Sequence, residues 1–141
     1  MVKSDKCLAK LNLMCEDTLM AHLKITYTQI GDDFLEAQMP VNHTTVQPMK
    51  ILHGGATLAL CESVGSALSV INTDMNEYLV RGMQVTANHL RSVSSGFVTA
   101  HARFLHRGRN SHLVEINVKD QQDELVSVCR LTNMIIKKER Q

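Results

Sequence analysis

Residues 53–71 read His53-Gly54-Gly55-Ala56-Thr57-Leu58-Ala59-Leu60-Cys61-Glu62-Ser63-Val64-Gly65-Ser66-Ala67-Leu68-Ser69-Val70-Ile71, and this stretch decides the fold. Ala and Leu dominate its first half and no proline interrupts it, so the pattern predicts a helix from about His53 to about Ile71. Leu60, Val64, Leu68 and Ile71 recur at helical spacing. The other faces carry Ala, Cys, Ser, Thr and Gly, with Glu62 as the one charged residue. A helix this apolar all round is expected to be buried rather than half exposed.

Both flanks alternate with the period of strands. Upstream, residues 5–20 contain Leu8, Leu11, Leu13 and Met14 and read as a short helical lead-in. Leu23, Ile25 and Tyr27 then alternate with polar partners over 22–29, as does the run 34–39. The turn signal Ile30-Gly31-Asp32-Asp33 between them predicts a hairpin. Residues 41–50, flanked or interrupted by Pro40 and Pro48, read as a loop. Downstream, strands are expected near 80–90, 96–106, 112–120 and 125–137, where Val, Ile and Thr are frequent. The turns between the last three are Arg107-Gly108-Arg109-Asn110 and Gln121-Gln122-Asp123-Glu124. Two strands, one buried helix and four strands make an α+β domain over 1–141, an antiparallel sheet of about six strands wrapped around a central helix.

Composition narrows the function classes. A chain of 141 residues with 44% hydrophobic and 21% charged residues suits one globular domain. A formal net charge of +1 and the absence of tryptophan argue against nucleic acid as the partner. Cys7, Cys15, Cys61 and Cys129 are widely spaced without a C-x-x-C pair, and the seven histidines lack metal-ligand spacing, so neither a disulfide framework nor a metal site is expected. The opening Met-Val-Lys-Ser-Asp-Lys lacks the apolar core of a secretory signal, and the 53–71 stretch carries a His-Gly-Gly, hydroxyls and a carboxylate that a membrane span disfavours. A cytoplasmic protein without a membrane partner is expected.

The chemistry concentrates around Glu62. A carboxylate on an apolar helix loses water, and its neighbours one turn away, Leu58 and Ser66, are not cations. Such a group is a functional acid-base centre, the partner of a distant Arg or Lys, or a residue at a helix edge. His53-Gly54-Gly55 opens the helix, where free N–H groups and the helix dipole favour a developing oxyanion and glycine permits close approach. Gln47 in the preceding loop is placed to donate an amide to a carbonyl, or is simply solvated. Ser66 either orients water near Glu62 or bonds to its own backbone. Cys61 points about 100° away from Glu62 and reads as packing. Gly54 and Glu62 lie eight residues apart, roughly 12 Å along a helix axis, too far for one chain to polarise and attack the same carbonyl. Both act on one substrate only if they come from different subunits of a two-fold dimer. Basic segments at 88–92 and 106–110 offer Arg forks suited to phosphate.

Three motifs carry a resemblance: Ile30-Gly31-Asp32-Asp33-Phe34 through Val41; Gln47-Pro48…Leu52-His53-Gly54-Gly55-Ala56…Leu60…Glu62-Ser63…Gly65-Ser66; and Thr86-Ala87-Asn88-His89-Leu90-Arg91-Ser92. From about Leu11 to Ile136 the chain resembles the hotdog-fold acyl-CoA thioesterases. The nearest branch contains the 4-hydroxybenzoyl-CoA, 1,4-dihydroxy-2-naphthoyl-CoA and enterobactin-pathway proofreading thioesterases. The resemblance implies that Glu62 is nucleophile or general base, that Gly54 N–H polarises the carbonyl with Gln47 and His53, and that Ser66 assists hydrolysis. It further implies coenzyme A contacts from Gly82, His89, Arg91, Ser92, His106, Gly108 and Arg109, no separate cofactor, and a tetramer built from dimers with shared sites. Met49 stands where relatives often carry an aromatic, and the 106–109 turn is more basic than usual.

The function expected from this is hydrolysis of an acyl-CoA, with an aromatic acyl group such as hydroxybenzoyl or 1,4-dihydroxy-2-naphthoyl. Three alternatives share the fold: a proofreading thioesterase acting on an acyl-carrier protein, a non-catalytic acyl-CoA-binding module, and a dehydratase using His53 and Glu62.

Overall fold

The computed structural model describes residues 2–139. The chain runs α1 (Val2–Met14), α2 (Leu19–His22), β1 (Thr26–Ile30), β2 (Phe34–Pro40), α3 (Gly54–Ile71), β3 (Tyr78–His89), β4 (Phe97–Arg107), β5 (Ser111–Lys119) and β6 (Leu125–Lys137). The strands form one antiparallel sheet in the order β1-β2-β4-β5-β6-β3, and α3 packs across its concave face. This is the hotdog fold, as expected.

Period-two alternation builds the inner face of the sheet. Leu35, Ala37 and Met39 on β2, Val98, Ala100 and Ala102 on β4, and Val114, Ile116 and Val118 on β5 all point inward and are buried. Leu60, Val64 and Leu68 of α3 meet them with no exposed surface. Each such side chain contributes about 1.5–3 kcal/mol. The small residues Ala37, Ala100 and Ala102 let the helix sit close to the strands. By length and mean hydropathy (1.4) α3 passes for a membrane span, yet here it is the core helix of a wrapped sheet.

Three expectations need correction. The helical lead-in is broken: Asp17 takes φ 58°, the chain turns, and α2 follows. The first strand begins at Thr26 rather than at residue 22, because Leu23 ends α2 and Lys24 takes φ 55°. Leu23, Ile25 and Tyr27 are nonetheless buried, so the alternation reported burial before it reported strand. Finally, α3 is not buried all round. Thr57, Leu60, Cys61, Val64, Gly65, Ala67, Leu68 and Ser69 are buried, but Gly55 and Glu62 are exposed. A single sheet covers one side of a helix, and the opposite face remains open beside β3.

That open side is also a sheet edge. β3 is 12 residues long, pairs only with β6, and exposes residues 81–84. The other edge strand, β1, has five residues and is backed by α1.

Candidate active site

The loop before α3 sets the helix N-terminus. Thr45 is buried; its hydroxyl donates to Pro40 O (2.8 Å), and its carbonyl accepts from His53 N–H (2.8 Å). Val46 and Leu52 form an isolated bridge, and Leu52 N–H donates to Val93 O at 2.7 Å. Gln47 therefore sits in a tight fold of backbone that returns to His53. Its side-chain oxygen accepts from Met49 N–H, so the amide nitrogen is the end left to donate.

His53 is the N-cap of α3. Its Nδ1 accepts from Gly55 N–H at 2.8 Å, and its carbonyl accepts from the N–H groups of Ala56 and Thr57. An accepting Nδ1 puts the ring proton on Nε2, which can then donate. Of the first-turn N–H groups, this leaves Gly54 without a partner among the described residues. Gly54 is the donor expected from the sequence, and the capping bond that occupies Gly55 N–H leaves it free among the described residues.

A cavity of about 220 Å³ opens at this helix end, lined by Gly54, Thr57, His89, Arg91, Ser92 and Ser127 among others. His89 packs on Gly54 closely enough that a β-carbon there would lie 2.7 Å from Nε2. The other ring nitrogen, Nδ1, is 2.7 Å from the buried Ser127 hydroxyl. Arg91 reaches Glu124 at 3.3 Å in an exposed pair, which is worth little in water.

Glu62 and Ser66 share a different cavity, about 320 Å³ and predominantly apolar, walled by Leu11, Met14, Met20, Tyr27, Ala67 and Val70 among others. Two of those walls come from α1 and α2, segments in which no functional residue was expected. Glu62 makes no ion pair among the described residues, so none of their Arg or Lys side chains is the distant partner. Gly82, expected among the coenzyme A contacts, lies against the Glu62 carboxylate. Ser63 bonds to its own helix through Ala59 O (2.6 Å), whereas Ser66 turns outward from the helix to Asn133 Oδ1 at 3.3 Å. Cys61 is fully buried with its sulfur 2.9 Å from that of Cys129, which fits packing. The contact with Cys129 and burial both push the Cys61 thiol pKa up.

The remaining coenzyme A candidates are elsewhere. His106 near the end of β4, and Gly108 and Arg109 in the β4–β5 turn, lie at the C-terminal end of α3, and Gly108 and Arg109 line a third cavity with Asn72, Tyr78 and His112. Within one chain they do not join His89, Arg91 and Ser92, because the helix of 18 residues lies between the two groups. Among the described residues no group of three or more His, Cys, Asp or Glu is placed to hold a metal ion.

Residues 49–127 match the family model of the thioesterase superfamily. The chain belongs to the thioesterase superfamily. Within it, the chain is 42% identical over 134 residues to the proofreading thioesterase EntH of Klebsiella pneumoniae, covering 95% of this chain and 97% of that one. A thioesterase structure from Pseudomonas aeruginosa superposes with a TM-score of 0.92 at 37% identity, covering 93% and 94% of the two chains. A Staphylococcus aureus thioesterase, 32% identical, aligns with a TM-score of 0.81 over 84% of this chain and 98% of its own. Its solved variants change a glutamine and a glutamate fifteen residues apart to alanine, and Gln47 and Glu62 have the same spacing. Thioesterases are hydrolases of thioesters.

Proposed function

We propose that this thioesterase hydrolyses an acyl-CoA at a site shared between two protomers. The carbonyl oxygen sits on Gly54 N–H, aided by the Gln47 amide and His53 Nε2–H, and Glu62 acts from the partner. The observation that carries this reading is that, among the described residues, the Gly54 N–H of the first turn has no partner and the exposed Glu62 on the same helix has no ion pair. They lie roughly 12 Å apart along that helix, whereas attack on a bound carbonyl needs reach of about 3 Å. A two-fold axis beside α3 brings each helix N-terminus to the partner's carboxylate. The long exposed edge of β3 supports such a pairing, since an uncovered edge is a template for another strand. In that arrangement the partner's helix extends past Gly54, carrying its His106–Arg109 turn toward the cavity of His89, Arg91 and Ser92. The two halves of the expected coenzyme A set then meet across the interface. Paired dimers would give the expected tetramer.

Hydrolysis adds the oxygen of water to the acyl carbon and breaks the C–S bond, and the departing thiolate takes up a proton. Glu62 either accepts a proton from the attacking water or attacks first and is released by water. The Gly54 N–H is fixed in place before the oxyanion forms, so little reorganisation opposes it.

The cavity beside Glu62 suits an apolar acyl group. Its hydroxyl hydrogens are committed: Tyr27 to Ser63 O (3.2 Å), Ser63 to Ala59 O, and Ser66 to Asn133. Their oxygens can still accept, so both unsubstituted acyl groups and aromatic ones carrying a ring hydroxyl fit this wall. Likeness to a proofreading thioesterase favours one second reading, an acyl group delivered on a carrier protein.

Thiol release from benzoyl-, phenylacetyl-, hydroxynaphthoyl- and straight-chain acyl-CoAs tests this directly, with wild type and Glu62→Gln side by side. Turnover that vanishes in the variant is expected, and the wild-type rates rank the acyl groups. No release from any member, alongside release from acyl-carrier protein, would replace coenzyme A with the carrier; equal turnover in the variant would remove Glu62 from the chemistry.

A further inference from the structure

Behind Ser66, a line of buried polar groups joins α3 to β5 and β6. Asn133 has no exposed surface, Ser69 none, and His112 4%. The Asn133 amide nitrogen donates to Gly65 O at 3.2 Å and to Ser69 Oγ at 2.8 Å, and Ser69 Oγ lies 3.0 Å from His112 Nδ1. Because Gly65 O can only accept, the nitrogen of the amide must face it. Oδ1 then faces Ser66, and the Ser66 hydroxyl must be the donor in their 3.3 Å contact. Ser69, which accepts from Asn133, has its own hydrogen for His112 Nδ1. The line has one consistent direction, from Ser66 through Asn133 and Ser69 to His112, and no buried side-chain polar atom among the described residues is left without a partner.

This arrangement has a cost that packing alone does not explain. Position 133 continues the inward row of Cys129, Leu131 and Ile135, where an aliphatic side chain would bury without desolvating an amide. Ser63, three residues before Ser66, follows the ordinary course of a helical serine and donates to its own backbone.

We propose that Asn133 is a positioning residue for thioester hydrolysis, acting through Ser66. By taking the Ser66 hydrogen it leaves that oxygen able only to accept, aimed into the cavity it shares with Glu62. A water in the cavity then donates one hydrogen to Ser66 Oγ, and its oxygen lone pair is held for the acyl carbon while Glu62 takes the other proton. This inference rests on the proposed role of Ser66. Ser69 anchors the far side of the Asn133 amide and so keeps Oδ1 on Ser66.

A double-mutant cycle tests it. Ser66→Ala, Asn133→Leu and the double variant are compared for kcat, KM and melting temperature with the best acyl-CoA of the panel. The expected result is a kcat about tenfold lower in each single variant, with KM little changed and the double variant no worse than Ser66→Ala. Multiplying losses, or an unchanged kcat in Asn133→Leu, would overturn the inference. Full activity in Ser66→Ala would instead overturn the role of Ser66, a separate failure. Should Asn133→Leu not fold, Ser69→Ala runs the same cycle, since it frees the amide anchor and leaves Asn133 in place. A loss of kcat that appears only when Ser66 is present supports the inference; an equal loss in both backgrounds is the mark of a purely structural role.

Discussion

Gly82 and Glu62 compete for one small volume: a β-carbon on Gly82 would lie 2.5 Å from Glu62 Oε1. Gly82 stands on β3 where the pairing register with β6 shifts, and a glycine within a strand often marks such a close approach. Its absent side chain lets the carboxylate lie over the strand. Gly82→Ala is expected to displace Glu62 and lower kcat about ten- to a hundredfold. The position is exposed, so the melting temperature should hold within a few degrees. Steady-state kinetics beside thermal melting checks both; unchanged kcat would show that the carboxylate tolerates the shift.

Gly54→Ala separates activity from stability in another way. Alanine suits a helix better than glycine, but a methyl group here would press on His89, 2.7 Å from Nε2. The expected outcome is a fold at least as stable by chemical denaturation and a clear fall in kcat/KM. A loss of both together would mean that His89 cannot yield and the helix start is strained.

Ser127 holds His89 from behind with its hydroxyl 2.7 Å from Nδ1. If His89 contacts the coenzyme A portion, Ser127→Ala should raise KM several-fold and leave kcat nearly unaltered, because the acyl carbon is not touched. A fall in kcat at constant KM would place His89 nearer the chemistry.

His112 makes stability depend on pH. Burial, then the Arg107 guanidinium and His106, hold its pKa below the usual 6.5. The unfolded chain therefore binds a proton that the folded chain refuses between the depressed folded value and 6.5. The stabilising contribution is complete above 6.5 and declines as pH falls through that window. His112→Gln should flatten this acid limb in a series of melting temperatures from pH 7.5 to pH 5; an unaltered slope would assign the limb to other groups.

Much of this was legible in the sequence because periodicity records which face is buried. The Ala-Leu run after His53-Gly54-Gly55 fixed α3 within a residue, and β4 to β6 fell close to their expected bounds. Alternation at Leu23, Ile25 and Tyr27 was right about burial but not about strand, since two backbone reversals at Asp17 and Lys24 leave no periodic trace. A Glu62 at a helix edge was one reading, but the helix was expected to be buried all round, because apolar content says that a helix seeks cover, not that one chain supplies it. The network behind Ser66 was missed for a different reason. His112 alternates with Val114 and Ile116, and Asn133 with Leu131 and Ile135, so period two places both inward. Their meeting at Ser69 depends on the pairing of β5 with β6, which sets His112 directly opposite Asn133 and which no single segment encodes. The Gly54–Glu62 separation, in contrast, needed only helical geometry, and it is the most consequential feature of the site.

That separation is tested most directly by mixing inactive protomers. Glu62→Gln and His53→Ala chains, differently tagged and co-expressed, are purified as heterodimers and assayed for acyl-CoA hydrolysis. A shared site predicts one intact constellation per heterodimer and about half of wild-type activity per dimer, from two parents that are each nearly inert. Heterodimers no more active than their parents would mean that Glu62 and the Gly54 helix end do not work on one thioester across the interface.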